Sequence, residues 1–271
     1  MPEISVIIST YNQPKWLQNV LWGYELQTYT DFEILIADDG STEETKQLIK
    51  DFSKASNLLI THVWQEDDGF RKTQILNKGL TVAKGNYIIC TDGDCIPRKD
   101  FVQRHFELRK PKHFLSGGYF KLPKSISDSI KQQDIVDQNC FDKQWLINNG
   151  LKKTFKLNKL TASGIKEYLL NTFTPTKATW DGMNASGWKA DILKVNGFDE
   201  RMTYGGEDRE LGERLMNSGI KPVQIRYSAI CVHLFHERAY KNEASEKSNL
   251  EIRKQTKSEK RTWTSFGIKK D

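Results

Sequence analysis

Four groups of side chains in this 271-residue chain have the types and spacing to do chemistry. The first is Asp92-Gly93-Asp94, two carboxylates one glycine apart at the end of the apolar run Tyr87 to Cys90. Hard oxygen donors at that spacing suit Mn²⁺ or Mg²⁺ carrying a diphosphate, and Gly93 lets the backbone bend or a ligand approach closely. The second is His233 and His236, whose spacing can bring both rings to one cation. The third is Glu207-Asp208, placed behind the flexible pair Gly205-Gly206 at the start of a helical pattern through Leu211, Leu215 and Met216. The fourth is Asp38-Asp39, followed by Gly40-Ser41-Thr42. Each group also has a plainer reading, since Asp and Gly make ordinary turns and acids at a helix start cap it or complement its dipole.

The elements that must position these groups follow from periodicity. Ile4 to Ser9 and Phe32 to Ala37 are nearly continuously apolar, the pattern of strands buried on both faces of a parallel sheet. Helical spacing links Trp16, Leu17, Val20, Leu21 and Tyr24, and again Ile75, Leu76, Leu80 and Val82. With strands at Leu58 to Trp64 and Tyr87 to Cys90, the order strand-helix-strand-helix-strand predicts a doubly wound α/β half with a mostly parallel central sheet flanked by helices. Ligands then belong at the carboxyl ends of the strands, where the first and fourth groups lie. Arg71 and Lys72 open the second of those helices, where they can reach a diphosphate or stand as solvated surface cations. A helix is expected at Phe101 to Leu108, one strand at His113 to Tyr119, and short strands at Pro222 to Ile225 and Ser228 to Cys231. The expected organisation is a doubly wound half over residues 1–119, a polar helical insertion over 120–178, a second half over 179–240, and a charged tail over 241–271 that is either solvated or a weak surface anchor.

Composition narrows the classes. A net charge of +6 is modest, and the basic residues form no aromatic-interleaved stripe, so no nucleic-acid partner is expected. No apolar run approaches the roughly 18 residues of a membrane span, and the amino terminus does not read as a leader peptide. Cys90, Cys95, Cys140 and Cys231 lack CxxC spacing, which argues against a zinc knuckle. A cytoplasmic protein is expected, with peripheral association at an inner membrane face left open.

Ser5-Val6-Ile7-Ile8-Ser9-Thr10-Tyr11-Asn12, Ala37-Asp38-Asp39-Gly40-Ser41-Thr42, Asn77-Lys78-Gly79, Gly85-Asn86-Tyr87 and Asp92-Gly93-Asp94 together resemble the family 2 glycosyltransferases of the GT-A fold. Gly197-Phe198-Asp199-Glu200, Gly205-Gly206-Glu207-Asp208, His233-x-x-His236 and Lys241-Asn242-Glu243 resemble the carboxyl half shared by chondroitin-polymerase-type transferases and animal β-1,4-galactosyltransferases. The resemblance implies an inverting, metal-dependent transfer from a UDP-sugar, with Asp208 as general base beside Glu207. It implies that Thr10, Tyr11, Asn12, Asp39, Arg71, Lys72, Asn77, Asp92 and Gly93 line the nucleotide-sugar site. Asp94 and His236 would hold Mn²⁺ or Mg²⁺, joined by His233, where the animal enzymes carry methionine. Trp180, Trp188 and Gly206 are the candidates for sugar or acceptor contact, although either tryptophan can equally be core. The Gln-x-x-Arg-Trp motif of processive synthases is absent, so single hexoses or N-acetylhexosamines are expected to be added to a saccharide or lipid-linked oligosaccharide. The rival readings are a nucleotidyltransferase, which normally carries a glycine-rich phosphate loop not found here, and a non-catalytic nucleotide-sugar-binding module.

Overall fold

A computed structural model describes residues 1–237 and 243–270. Its first half alternates β1 (Ile4–Thr10), α1 (Pro14–Glu25), β2 (Phe32–Asp38), α2 (Glu43–Ala55), β3 (Leu59–Trp64), α3 (Lys72–Val82) and β4 (Tyr87–Asp92). β1 and β2 are buried at every position, as their two-faced apolar pattern requires. β5 (Cys95–Pro97), α4 (Phe101–Leu108), β6 (His113–Ser116) and β7 (Gly118–Lys121) follow. The single strand expected over His113 to Tyr119 is thus two, broken at Gly117. The break is steric: a side-chain carbon at Gly118 would lie 2.0 Å from the Arg226 carbonyl oxygen, so only glycine lets the chain cross there into a second sheet.

Short helices α5 (Lys124–Ser129), α6 (Gln132–Val136), α7 (Lys143–Asn148), α8 (Asn158–Thr161) and α9 (Gly164–Thr172) fill the expected insertion. The chain closes with β8 (Ala185–Trp188), α10 (Lys189–Lys194), α11 (Glu207–Asn217), β9 (Lys221–Gln224), β10 (Ile230–His233) and α12 (Glu243–Ser258). The main sheet has the order β3-β2-β1-β4-β8-β6-β9, and only β8 runs antiparallel to its neighbours. A small second sheet, β5-β10-β7, stands beside it. The fold is therefore mixed α/β with a mostly parallel central sheet flanked by helices.

Two ties join the halves of the chain. Asn77 on α3 accepts the Phe198 N–H at 2.8 Å and donates to the Phe198 carbonyl at 2.9 Å and to Glu200 at 2.9 Å. The second is the carboxyl-terminal segment, which is not the solvated tail its charge suggested. On α12, the Asn249 amide donates to the carbonyls of Thr203, Tyr204 and Gly205, Arg253 pairs with Glu213, and the Thr256 hydroxyl donates to Glu210. The helix therefore holds the turn leading into α11 by polar contacts, which a hydrophobic pattern does not reveal.

Asn77→Ala leaves both backbone groups of Phe198 buried without a partner, and we expect it to cost about 1–3 kcal/mol. Urea titration checks this: the midpoint should fall with an unchanged m-value.

Candidate active site

The parallel register brings the first carboxylates together, because Thr10 lies beside Asp38 and Ser9 beside Asp92 at the carboxyl ends of adjacent strands. Asp38 is used internally, accepting the Ser41 N–H at 2.8 Å and facing His62 at 2.8 Å. Asp39, the next residue, is buried as well. Burial pushes its carboxyl up, partly offset by the Arg71 N–H at 2.9 Å and the Gln65 amide at 2.6 Å. The Thr10 hydroxyl is buried without a partner, whereas Tyr11 donates to Asp67 at 2.8 Å and Asn12 accepts the Thr42 N–H at 2.8 Å. Gly93 is tightly enclosed: a carbon there would lie 3.1 Å from the Ser9 carbonyl and the Thr10 hydroxyl.

The small sheet delivers the histidines. β5 and β10 pair Cys95 with His233, and Leu234 N–H donates to the Asp94 carbonyl at 2.8 Å. As a result His236 Nε2 lies 3.1 Å and His233 Nε2 3.8 Å from Asp94 Oδ2, with the two rings stacked at 5.4 Å. Burial alone would raise the Asp94 carboxyl, but the His236 hydrogen bond and the two imidazoles hold it below its ordinary value. Oxygen and imidazole donors converging on one point form a set that fits a divalent ion such as Mn²⁺. Cys95, whose thiol lies 3.4 Å from Asp94 and within 4.8 Å of a ring nitrogen of His233, was not singled out from sequence. Its signal was its place directly after Asp94. Lys241 and Asn242 lie outside the described residues.

The third group sits where α11 begins. Gly206 caps the helix at φ +90°, a conformation suited to glycine, and Gly205 N–H donates to Glu207 at 2.8 Å. Asp208 has one oxygen buried without a partner. A carbon on Gly182 would lie 2.6 Å from both oxygens of Asp208, so the glycine is what admits this carboxylate. Lys72 lies between the halves: its ammonium is 2.7 Å from Asp92 Oδ1, which also accepts the Ser9 hydroxyl at 2.6 Å. Burial opposes the Lys72 charge, yet Asp92, Asp208 and Glu207 together raise its affinity for the proton well above the usual value. One ammonium does not neutralise all of them. Burial and Asp208 push Glu207 up to about 7, and burial raises Asp208 despite Lys72. Asp181, missed in the sequence, belongs to the same cluster and is pushed up to about 6 by burial and Asp208. The glycine after it was the available signal.

Several expectations are corrected. Trp180 is fully buried, tilted against Phe114 and packed under Gly187 and Gly212, so it has no ring face for a sugar. Trp188 pairs with Tyr87 at the opposite end of β4 from Asp92 and donates to the Lys110 carbonyl. Asn77 is the structural tie described above rather than a cleft residue. Lys72 is committed to carboxylates, whereas the Arg71 guanidinium donates to the Glu66 carbonyl and pairs with the exposed Asp68 but keeps its Nε without a partner.

A Glu207 that holds its proton up to about pH 7 when folded, but only to about 4.5 in its ordinary state, favours folding at low pH. That contribution fades as pH rises from about 4.5 through 7. The ligand-free protein should therefore lose on the order of 1–3 kcal/mol of stability from this group between pH 5 and pH 8. Glu207→Gln should flatten the urea-midpoint profile over that window.

Three comparisons bear on the family and the fold. The family model "Glycosyl transferase family 2" matches residues 5–154, and the model "N-terminal domain of galactosyltransferase" matches residues 176–237. The chain is 29% identical over 233 residues to the chondroitin synthase of Escherichia coli, covering 80% of this chain and 32% of that protein. It is also 29% identical over 263 residues to a validoxylamine A glucosyltransferase of Streptomyces hygroscopicus, covering 90% of this chain and 58% of the other. It thus spans about a third to just over half of those relatives. Among solved structures, residues 1–349 of S. aureus TarS in complex with UDP-GlcNAc align with a TM-score of 0.62 at 16% identity, covering 93% of this chain and 64% of that one. The mannosyltransferase PcManGT from Pyrobaculum calidifontis, in complex with GDP-Man and Mn²⁺, aligns at 0.60 and 19%, covering 88% and 59%. With its mixed sheet, its GT-A neighbours and a family match over more than half its length, the chain belongs to glycosyltransferase family 2.

Proposed function

We propose that the chain transfers a single hexose or N-acetylhexosamine, with inversion, from a UDP-sugar to a saccharide or lipid-linked oligosaccharide in surface glycan synthesis. The observation that carries this reading is the Asp208 carboxylate: half-buried, with one enclosed oxygen unpartnered, and linked electrostatically through Lys72 to Asp92 at the strand end. An inverting displacement needs one positioned carboxylate to take the proton of the attacking hydroxyl, and a raised carboxyl makes a better base near neutral pH. Asp208 fills that role. Glu207 sets the Gly205-Gly206 turn beside it, and Gly206 borders the acceptor.

Residues 1–119 then form the nucleotide-sugar half, 120–178 the insertion and 179–240 the acceptor half. Asp39 holds the base of the nucleotide, with the unpartnered Thr10 hydroxyl, Tyr11, Asn12 and the Arg71 backbone around it. Asp92 and Gly93 border the nucleoside and the start of the diphosphate. Asp94 and His236 would hold Mn²⁺ in preference to Mg²⁺, because two imidazoles face the carboxylate, His233 being the second. A bound divalent ion supplies charge compensation for the departing diphosphate. Protein groups do the rest: the Lys72 ammonium stands between the carboxylates of the two halves, and Asp208 receives the acceptor proton. No described helix is long and apolar enough to cross a membrane.

Calorimetry with UDP and Mn²⁺, paired with a transfer assay, tests the assignment. Asp94→Ala should weaken Mn²⁺-dependent UDP binding by about 10–100-fold while leaving affinity in chelator unchanged. Asp208→Asn should bind UDP as the wild type does and lose about 10²–10⁴-fold in transfer rate. Full transfer by Asp208→Asn would overturn the base assignment, and no UDP binding by wild type would overturn the donor.

A further inference from the structure

Beyond Asp181 the cleft continues as a groove of about 1300 Å³ between the insertion, the β6–β9 edge of the main sheet and α11. Lysines and arginines outnumber acids along its walls. The acids are largely taken: Glu167 by Arg104 and the Ser228 hydroxyl, and Glu213 by Arg253 and Lys257. Two cations at the groove's inner end have no such partner. Lys159 on α8 donates to the Tyr119 carbonyl at 2.8 Å and lies over the Tyr119 ring at 5.0 Å. Arg226, between β9 and β10, makes no ion pair among the described residues, and its Nε is buried without a hydrogen-bond partner. Burial, and then the Arg226 charge, push the Lys159 ammonium down to about 8, whereas a counter-ion would push it up.

Half-buried cations that repel one another are costly unless an anion joins them. Tyr119 links the pair to the site, since its ring lies 6.2 Å from that of His233 and it feels both Asp181 and Arg226. The pair faces the groove rather than the strand ends that carry Thr10, Asp39 and Asp92, so the missing anion belongs to the molecule occupying the groove.

We infer that Lys159 and Arg226 form an anion subsite of the acceptor groove, and that the acceptor is an acidic glycan bearing a carboxylate or phosphate near the attacking hydroxyl. Arg226 offers a planar fork to that anion and Lys159 a point charge. Lys177 and Arg209, which form no ion pair among the described residues, extend the same polarity along the groove. This inference rests on the groove being the acceptor side of the proposed transferase.

The test uses the full chain with methyl β-D-glucuronide, glycerol 3-phosphate and neutral methyl β-D-glucoside, titrated with and without UDP and Mn²⁺. Wild type should prefer at least one charged probe over the glucoside by about tenfold or more, as a charge-assisted contact implies. Which probe wins separates a carboxylate from a phosphate source. Lys159→Gln and Arg226→Gln should each erase the preference with UDP affinity unchanged, and Arg226→Lys should restore part of it. The inference is overturned if wild type does not discriminate charge, or if the two variants instead weaken UDP binding, which would assign the pair to the donor diphosphate. Absence of UDP binding in wild type would count against the transferase reading alone, because the charge preference is scored without nucleotide as well.

Discussion

The structure turns on one ammonium among crowded, mostly half-buried acids. Lys72 meets Asp92 directly and feels Asp208 and Glu207, while Asp181 crowds the same space. In a medium of low polarizability, like charges this close cannot all ionise against a single cation. The outcome is graded: Lys72 holds its proton firmly, Asp208 is raised, and Glu207 and Asp181 titrate near neutrality. Because Lys72 comes from the first half of the chain and the two α11 acids from the second, this cluster also welds the halves. Removing its charge would disturb both cohesion and chemistry.

The scaffold serves that cluster by register and by glycine. Parallel pairing of β1 with β2 and β4 fixes Thr10, Asp38 and Asp92 at one rim. The antiparallel ladder of β5 and β10 carries His233 and His236 to Asp94 from far along the sequence. A side-chain carbon at Gly182 would collide with Asp208, and one at Gly93 would crowd Ser9 and Thr10. Asn77 and α12 brace the approach to α11, so the acids at its start depend on residues well outside the cleft.

Much of this was legible in the chain. Strands buried on both faces announce themselves by unbroken apolar runs, which is why β1, β2 and β4 were read correctly. The acidic and histidine motifs were visible because strand ends and diglycine turns flank them. What escaped reading depends on tertiary partners. Lys72 looks like any surface lysine until Asp92 is placed 2.7 Å away. Trp180 and Trp188 flank a motif, yet only packing decides that one lies under Gly212 and the other at the far end of β8. Burial of α12 is carried by Asn249 and Thr256 rather than by apolar residues, so a charged segment concealed a packed helix. The bend at Gly117 and Gly118 needed the position of Arg226.

In the proposed function everything at the donor end depends on Asp94, His233 and His236 holding a divalent cation together. The most direct measurement is an anomalous difference map at the manganese edge from crystals grown with UDP and Mn²⁺. The account predicts a peak within about 2.0–2.4 Å of an Asp94 oxygen and of His236 Nε2, with UDP phosphate on its open side. A manganese peak bound elsewhere, or UDP seated with no metal beside Asp94, would contradict it.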